Sequence, residues 1–269
     1  MEADVSLGDS LYAVEPWVNC RECDFCLSGK RQFCKKGYLV GVQIAGGLSE
    51  FVDVPLESLH PIDPSVETLQ ASLSEPTAVC TRAIHHARLQ LDNRVLILGG
   101  GTLGLLSGLL SRDSSASVAI STRHPHQAEA AKRIGLQPLT EAEVDGWASE
   151  NEPDVVIETV GGEADTVNQA MQAARQGGRI VVVGLFSKPL EIDGRALVMK
   201  ELQMVGSKVM GLSDHESEFR AATNLLPRYR KEYKELQTHQ FPLDRVEEAF
   251  AAAADKTSKS IKVTVLAGS

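Results

Sequence analysis

Aromatic side chains make up only 5% of the chain, and no apolar run approaches the ~20 residues that a membrane-spanning helix needs. Positive charge is short as well. Against 36 Asp and Glu stand 27 Lys and Arg, a net charge of -9 that repels phosphate backbones and anionic bilayers. With no long Lys/Arg block to offset it, neither nucleic acid nor a membrane is an expected partner. The opening Met1-Glu2-Ala3-Asp4-Val5-Ser6 has no basic n-region and no apolar h-region, so the expected location is cytoplasmic. Internal repeats and low-complexity tracts are also lacking. A chain of 269 residues then implies one large or two modest domains with a sizeable core.

Cysteine is sparse but unevenly placed, with four of the five between positions 20 and 34. Cys20, Cys23, Cys26 and Cys34 stand in a C-x2-C-x2-C-x7-C spacing. In a reducing compartment such crowding favours a metal, and four thiolates can enclose one tetrahedral Zn²⁺ at about 2.3 Å each with no position left for water. Such a site is structural. Two disulfides or unpaired thiols are the alternatives. Arg21, Lys30, Arg31, Lys35 and Lys36 are placed to offset the charge of the cage.

The stretch from Val95 to Leu106 carries the other strong signal. Four aliphatics, Val95 to Leu98, fit a buried parallel strand, and Gly99, Gly101 and Gly104 follow at the G-x-G-x-x-G spacing. Gly99 would make the tight turn, Gly101 would let backbone approach a pyrophosphate, and Gly104 would let helix and strand pack closely. The phosphates would meet the amides of a helix starting at Thr102 and Leu103. A second apolar run, Ser117 to Ser121, stands where a βαβ unit needs it. A structural turn that binds no phosphate is the alternative.

From Arg94 onward strand and helix patterns alternate, the sign of an α/β doubly wound parallel sheet. Further strands are expected at Asp154 to Val160, Arg179 to Gly184, Leu202 to Ser207 and Ile261 to Leu266, with helices at 126–134, 164–175, 216–226 and 245–254. The strand at Leu202 to Ser207 is expected at an edge, where a homodimer could form. Gly46 to Pro55 alternates as a half-buried antiparallel strand does, and Pro76 suits the first residue of a new helix.

These segments resemble the medium-chain dehydrogenase/reductase family, in particular the zinc-type alcohol, sorbitol and threonine dehydrogenases. The resemblance is carried by Gly8-Asp9 to Pro16, the cysteine lobe, Gly46 to Val54, Glu75-Pro76, the glycine turn, Gly178 to Gly184 and Phe241 to Phe250, in that family's order. It implies a Rossmann nicotinamide-binding domain over 81–226. It also implies a partial GroES-like β domain with the four-cysteine zinc lobe over 1–80, completed by 227–269. The implied chemistry is hydride transfer between a secondary alcohol or polyol and a nicotinamide. The family's third catalytic zinc ligand falls on Glu75, in the Glu-Pro form of sorbitol-like members. The catalytic cysteine and the Gly-His-Glu segment that members place ahead of the cysteine lobe are not in this sequence. A single carboxylate cannot hold Zn²⁺, so Glu75 reads equally as a helix cap, and the chain as a shortened gene product. His85 and His86 are adjacent on a helix and point about 100° apart, which makes them poor joint ligands. His124 and His126 are distinguished only by a loop near the cofactor ribose.

An NAD enzyme is expected to carry Asp or Glu at the end of the second strand, about 20 residues past the glycines. Here that place reads Ser121-Thr122-Arg123. Hydroxyls and a guanidinium bind a 2′-phosphate, which a carboxylate would repel, so NADP(H) is expected over NAD(H). Arg123 as a solvated loop cation is the alternative. Two other functions remain open, a non-catalytic NADP(H)-binding remnant or regulatory module, and a zinc-independent reductase resembling the quinone-reductase branch.

Overall fold

The computed structural model describes residues 10–115, 117–213 and 216–267. Gly8-Asp9, which opens the first segment carrying the family resemblance, lies outside them. The first part of the chain consists of short strands, β1 (Tyr12–Val14), β2 (Trp17–Val18), β3 (Tyr38–Leu39) and β4 (Leu59–Pro61). β1 pairs with β4 and β2 with β3, both antiparallel. Between β2 and β3 lies the cysteine lobe, with a single helical turn α1 (Asp24–Leu27) and a 3₁₀ turn at Arg31–Phe33.

The strand expected at Gly46 to Pro55 does not form. The segment is irregular, and Phe51 is 89% exposed. An alternating pattern makes a strand only when a neighbour takes its backbone hydrogen bonds, and no described strand lies beside it. The chain then enters α2 (Thr68–Ala71) and α3 (Ser74–Ala87). Pro76 is the third residue of α3, not the first. It is tolerated there because the first four amides of a helix have no intrahelical acceptor.

The centre of the molecule is a six-stranded, wholly parallel sheet. Its strands are β5 (Arg94–Leu98), β6 (Ser117–Ser121), β7 (Gln137–Leu139), β8 (Val155–Glu158), β9 (Arg179–Val182) and β10 (Gln203–Gly206), in the order β10-β9-β8-β5-β6-β7. Helices α4 (Thr102–Arg112), α5 (Pro125–Arg133), α6 (Val144–Asn151), α7 (Thr166–Ala173) and α8 (Gly194–Met199) connect them. Along β5 the side chains alternate between two cores, as a period of two requires. Val95 and Ile97 pack with Leu105, Leu109 and Ile134 on one face. Leu96 and Leu98 pack with Val144, Val167 and Met171 on the other. β7 has no counterpart among the strands expected from the sequence. It has three residues, one of them Pro138, and a proline is admitted because β7 is an edge.

After β10 a two-residue pair, β11 (Leu212–Ser213) and β12 (Glu216–Ser217), precedes α9 (Glu218–Leu225). The helix expected from Glu216 therefore begins two residues later, where the Ser217 hydroxyl accepts from the Arg220 amide. α9 is pinned to α3 through Glu218, whose buried carboxylate accepts from Arg82 at 3.1 Å, from the Gly211 amide at 2.6 Å and meets His85 Nδ1 at 3.0 Å. The chain closes with α10 (Arg230–Leu236), β13 (Gln237–Pro242), α11 (Val246–Ala254) and β14 (Lys262–Leu266), with β13 and β14 pairing in parallel. This segment returns to α2, since Gln237 Nε2 donates to Leu69 O at 2.6 Å and Gln70 Nε2 donates to Arg230 O at 3.0 Å.

The opposite end of the sheet is tied by Asp154. One carboxylate oxygen accepts the Arg94 amide at 2.7 Å and the other accepts Arg175 Nε at 2.6 Å, which joins the starts of β5 and β8 to the end of α7. Partial burial works to raise this carboxyl, but the Arg94 amide and the Arg175 guanidinium outweigh it and hold the group below its ordinary range. A depressed folded value means that the contribution is complete above the unfolded value near 3.9 and disappears as pH falls through the folded one. Asp154→Asn is expected to cost about 1 kcal/mol at pH 7, or about 2–4 °C. Thermal melts from pH 7 to 2 should show the gap between variant and parent closing at the acid end.

Candidate functional site

In an open parallel sheet, ligands bind beyond the carboxyl ends of the strands where the strand order reverses. Here that point lies between β5, followed by α4 and β6 on one side, and β8 on the other. The loops that flank it are Gly99 to Gly101 and Thr159 to Gly162.

Gly99 has φ +109°, a conformation an L side chain rarely adopts, and a Cβ there would stand 2.8 Å from Thr159 Oγ1 and Val160 Cγ2. A Cβ on Gly104 would stand 1.7 Å from the Gly99 carbonyl oxygen, so α4 can lie against the turn only with glycine at 104. Gly101 differs. It is the N-cap of α4 in extended conformation, and a Cβ on it would meet no atom within 4 Å. The turn is thus closed underneath by Gly99 and Gly104 and open above Gly101. The amides of Thr102, Leu103 and Gly104 form the first turn of α4 and have no intrahelical acceptor, since the first such bond is Leu105 N to Gly101 O. An open approach to these amides, at the positive end of an 11-residue helix, suits a diphosphate. Thr102 Oγ1 donates to Ile261 O at 2.6 Å, which places the chain's last segment at the same helix end.

Ser121 ends β6 in register with Leu98 of β5. Both Ser121 and Thr122 are buried, and the Thr122 amide and hydroxyl both donate to Leu139 O, at 2.8 and 3.2 Å. Arg123 is exposed. Its Nε lies 3.3 Å from Glu141 Oε1. His124 and His126 stack with ring centroids 5.5 Å apart. Burial, with the charges of His124 and Lys259, holds His126 below its ordinary value. Of the three residues read as the ribose end, Arg123 is the one whose side chain reaches outward.

On the other side of the crevice stands Glu158, the last residue of β8 and fully buried. Its Oε1 accepts from the amides of Val160 and Gly161 at 2.7 and 2.9 Å and from Thr166 Oγ1 at 2.8 Å, while Oε2 has no partner among the described residues. The carboxylate thereby fixes the loop that packs against Gly99. A lone acid closing a run of aliphatics was the available signal in the sequence.

The four cysteine sulfurs of the lobe converge. All lie within 4.8 Å of one another, with Cys23–Cys26 and Cys20–Cys34 at 3.5 Å and Cys20–Cys26 and Cys23–Cys34 at 3.9 Å. A tetrahedron of thiolates around Zn²⁺ has edges of ~3.8 Å if each bond is 2.3 Å. The residues present therefore fit the ion, and the separations are far from the ~2.05 Å of a disulfide. The backbone amide of Glu22 leads in pulling the Cys20 thiol down to about 6, and burial pushes the Cys26 thiol up to about 12. Lys36, expected to offset the cage, pairs with Glu22 at 2.5 Å, and the charges of Cys20 and Cys23 add to the pull of Glu22 that raises its ammonium.

Glu75 is the second residue of α3. It lines a cavity of about 300 Å³ together with residues of β1, Phe219 and Thr264. Burial raises its carboxyl, against the pull of the Lys262 ammonium, and burial lowers Lys262 in turn. Among the described residues the four cysteines are the one group of three or more His, Cys, Asp or Glu ligands able to share an ion, and Glu75 is not part of it. The described side chains therefore do not fit a second, catalytic metal. Cys80 is no substitute, being fully buried with its thiol raised to about 12 by burial and directed at Leu103 O. His85 is engaged by Glu218.

Two family descriptions match the chain. The alcohol dehydrogenase GroES-like domain covers residues 2–64, and the zinc-binding dehydrogenase covers 102–228. L-galactonate-5-dehydrogenase of Escherichia coli K12 is 28% identical over 92% of this chain and 73% of its own length. Sorbitol dehydrogenase of Halalkalibacterium halodurans is 26% identical over 96% of this chain and 76% of its own. Among solved structures, a protein described as a zinc-binding dehydrogenase from Sinorhizobium meliloti 1021, bound to NADP, superposes with a TM-score of 0.88. It is 25% identical, and the match covers 98% of this chain and 78% of that one.

Proposed function

Because this chain belongs to the medium-chain dehydrogenase/reductase family, we propose that it binds NADP(H) in the crevice between β5 and β8 and serves hydride exchange with a secondary alcohol or polyol. It is an oxidoreductase of the zinc-type alcohol and polyol dehydrogenase kind. The observation that carries the reading is the glycine turn, closed beneath by Gly99 and Gly104 and open over Gly101 at the start of α4. The NADP in the Sinorhizobium neighbour supports it.

When bound, the nicotinamide supplies the hydride donor or acceptor. The chain's own residues bind and orient it. The first amides of α4 take the diphosphate, Arg123 takes the 2′-phosphate, and the Val160–Gly162 loop held by Glu158 borders the nicotinamide half. Glu75 is the candidate catalytic residue. Its carboxyl, raised by burial, can hold a proton at the wall of the 300 Å³ cavity. Cys20, Cys23, Cys26 and Cys34 would hold the structural zinc, whose chemistry is to shape the lobe. A second reading, a binding module without turnover, is favoured by the absence of companion ligands for Glu75 among the described residues.

Preference for NADP(H) follows from magnitudes. A guanidinium hydrogen-bonded to phosphate contributes about 1.5–3 kcal/mol, whereas the exposed pair with Glu141 contributes about 1 kcal/mol or less, so a doubly charged phosphate displaces the carboxylate. Arg123→Ala is expected to weaken NADPH at least 10-fold in a fluorescence titration and to leave NADH within about twofold. Tighter NADH binding by the parent protein would refute the assignment. NADP⁺ reduction across a panel of secondary alcohols and polyols separates the two readings, and loss of that activity in Glu75→Gln with unchanged NADPH affinity would mark Glu75 as catalytic.

A further inference from the structure

The ribose end of the crevice carries a carboxylate as well as a cation, although the acid does not come from the strand where one is expected. Glu141 opens the 3₁₀ turn Glu141–Glu143 that follows β7, the strand beside β6. Two features fix its position relative to Arg123. The Thr122 amide and hydroxyl both bond Leu139 O, which clamps the end of β6 to the end of β7. The turn itself is locked by Glu143, whose Oε2 accepts from the Thr140 amide at 2.7 Å and its hydroxyl at 2.8 Å. Glu143 is occupied by the cap, and Glu141 is left facing Arg123 at 3.3 Å.

We propose that Glu141 is a specificity-determining residue, one that holds the Arg123 guanidinium in the free protein and weakens the preference for a 2′-phosphorylated dinucleotide. The proposal rests on the reading of this end as the ribose subsite. A 2′-phosphate must take Arg123 from Glu141 and then lie near a carboxylate whose backbone the clamp keeps in place. A dianion within about 6 Å of a carboxylate is repelled even in water, though salt attenuates the effect. NADH, with a hydroxyl at that position, pays no such penalty and can donate to the carboxylate. Glu141 thus does from the third strand, in attenuated form, what an acid at the end of the second strand does in an NAD enzyme.

The test compares the parent protein and Glu141→Gln in titrations with NADPH, NADH and adenosine 2′,5′-bisphosphate, at low salt and at 0.5 M salt. The substitution is on the exposed surface, which leaves the fold intact. NADPH and the bisphosphate should bind about 3–10-fold tighter to the variant at low salt, with the gain shrinking at high salt and NADH unchanged or slightly weaker. In an Arg123→Ala background the gain should fall to the repulsive part alone. Parallel changes for NADPH and NADH, or none for NADPH, would overturn the proposal. If the parent binds none of the three, the dinucleotide reading fails and this proposal fails with it.

Discussion

Gly101→Asp should melt at or slightly above the temperature of the parent protein and bind NADPH at least 100-fold more weakly. Both effects come from the same atom positions. A Cβ at 101 meets nothing within 4 Å, and the residue is the N-cap of α4, where aspartate is among the best caps and its charge suits the positive end of the helix. The free fold therefore accepts the change. The carboxylate then occupies the amides that the diphosphate requires and repels it. Gly104→Ala is the control of opposite sign. Its Cβ would stand 1.7 Å from the Gly99 carbonyl, which forces the turn apart and costs about 3 kcal/mol or more. Its melting temperature should drop by about 6–12 °C. Undiminished NADPH binding by Gly101→Asp would show that the dinucleotide does not lie on this turn.

Removal of zinc should unfold residues 20–34 while the parallel sheet stays folded. The lobe has little else to hold it, namely one turn of helix, a 3₁₀ turn, the two-residue pairing of β2 with β3, the Trp17 Nε1 bond to Arg31 O at 3.0 Å, an edge contact of Phe25 with Phe33 and the exposed Glu22–Lys36 pair. A structural zinc contributes about 10–16 kcal/mol in small zinc domains, more than these contacts can replace. About one zinc per chain is expected by mass spectrometry, lost on chelation or in Cys34→Ser. Limited proteolysis should then cut within the lobe, with NADPH binding retained. Two zinc ions per chain would mean that Glu75 has companion ligands after all, and none would leave the cage as four thiols.

What the sequence disclosed and what it withheld divide along physical lines. Runs such as Val95 to Leu98 and Val155 to Ile157 are short, aliphatic and followed by glycine turns, the pattern of central strands, and the structure buries them on both faces, so the doubly wound sheet was readable. The cysteine spacing determines which sulfurs can meet, and they do. Gly46 to Pro55 misled because alternation describes one strand, whereas a ladder needs two. β7 was missed because three residues with a proline carry no periodicity, and with it went Glu141, which depends on the turn after β7. The pairing of Arg123 with Glu141 and the clamp of Thr122 on Leu139 join segments 17 or more residues apart, a relation that local pattern does not encode. The roles given to Glu75 and to the residues of the crevice rest on the family and on this geometry together.

The most direct measurement is hydrogen exchange of the zinc-loaded protein with and without saturating NADPH. The account predicts new protection in the peptides spanning 99–106 and 159–162, where α4 begins and the loop fixed by Glu158 faces it, with no change in residues 20–34. Saturable NADPH binding that leaves 99–106 exchanging at its original rate would contradict it.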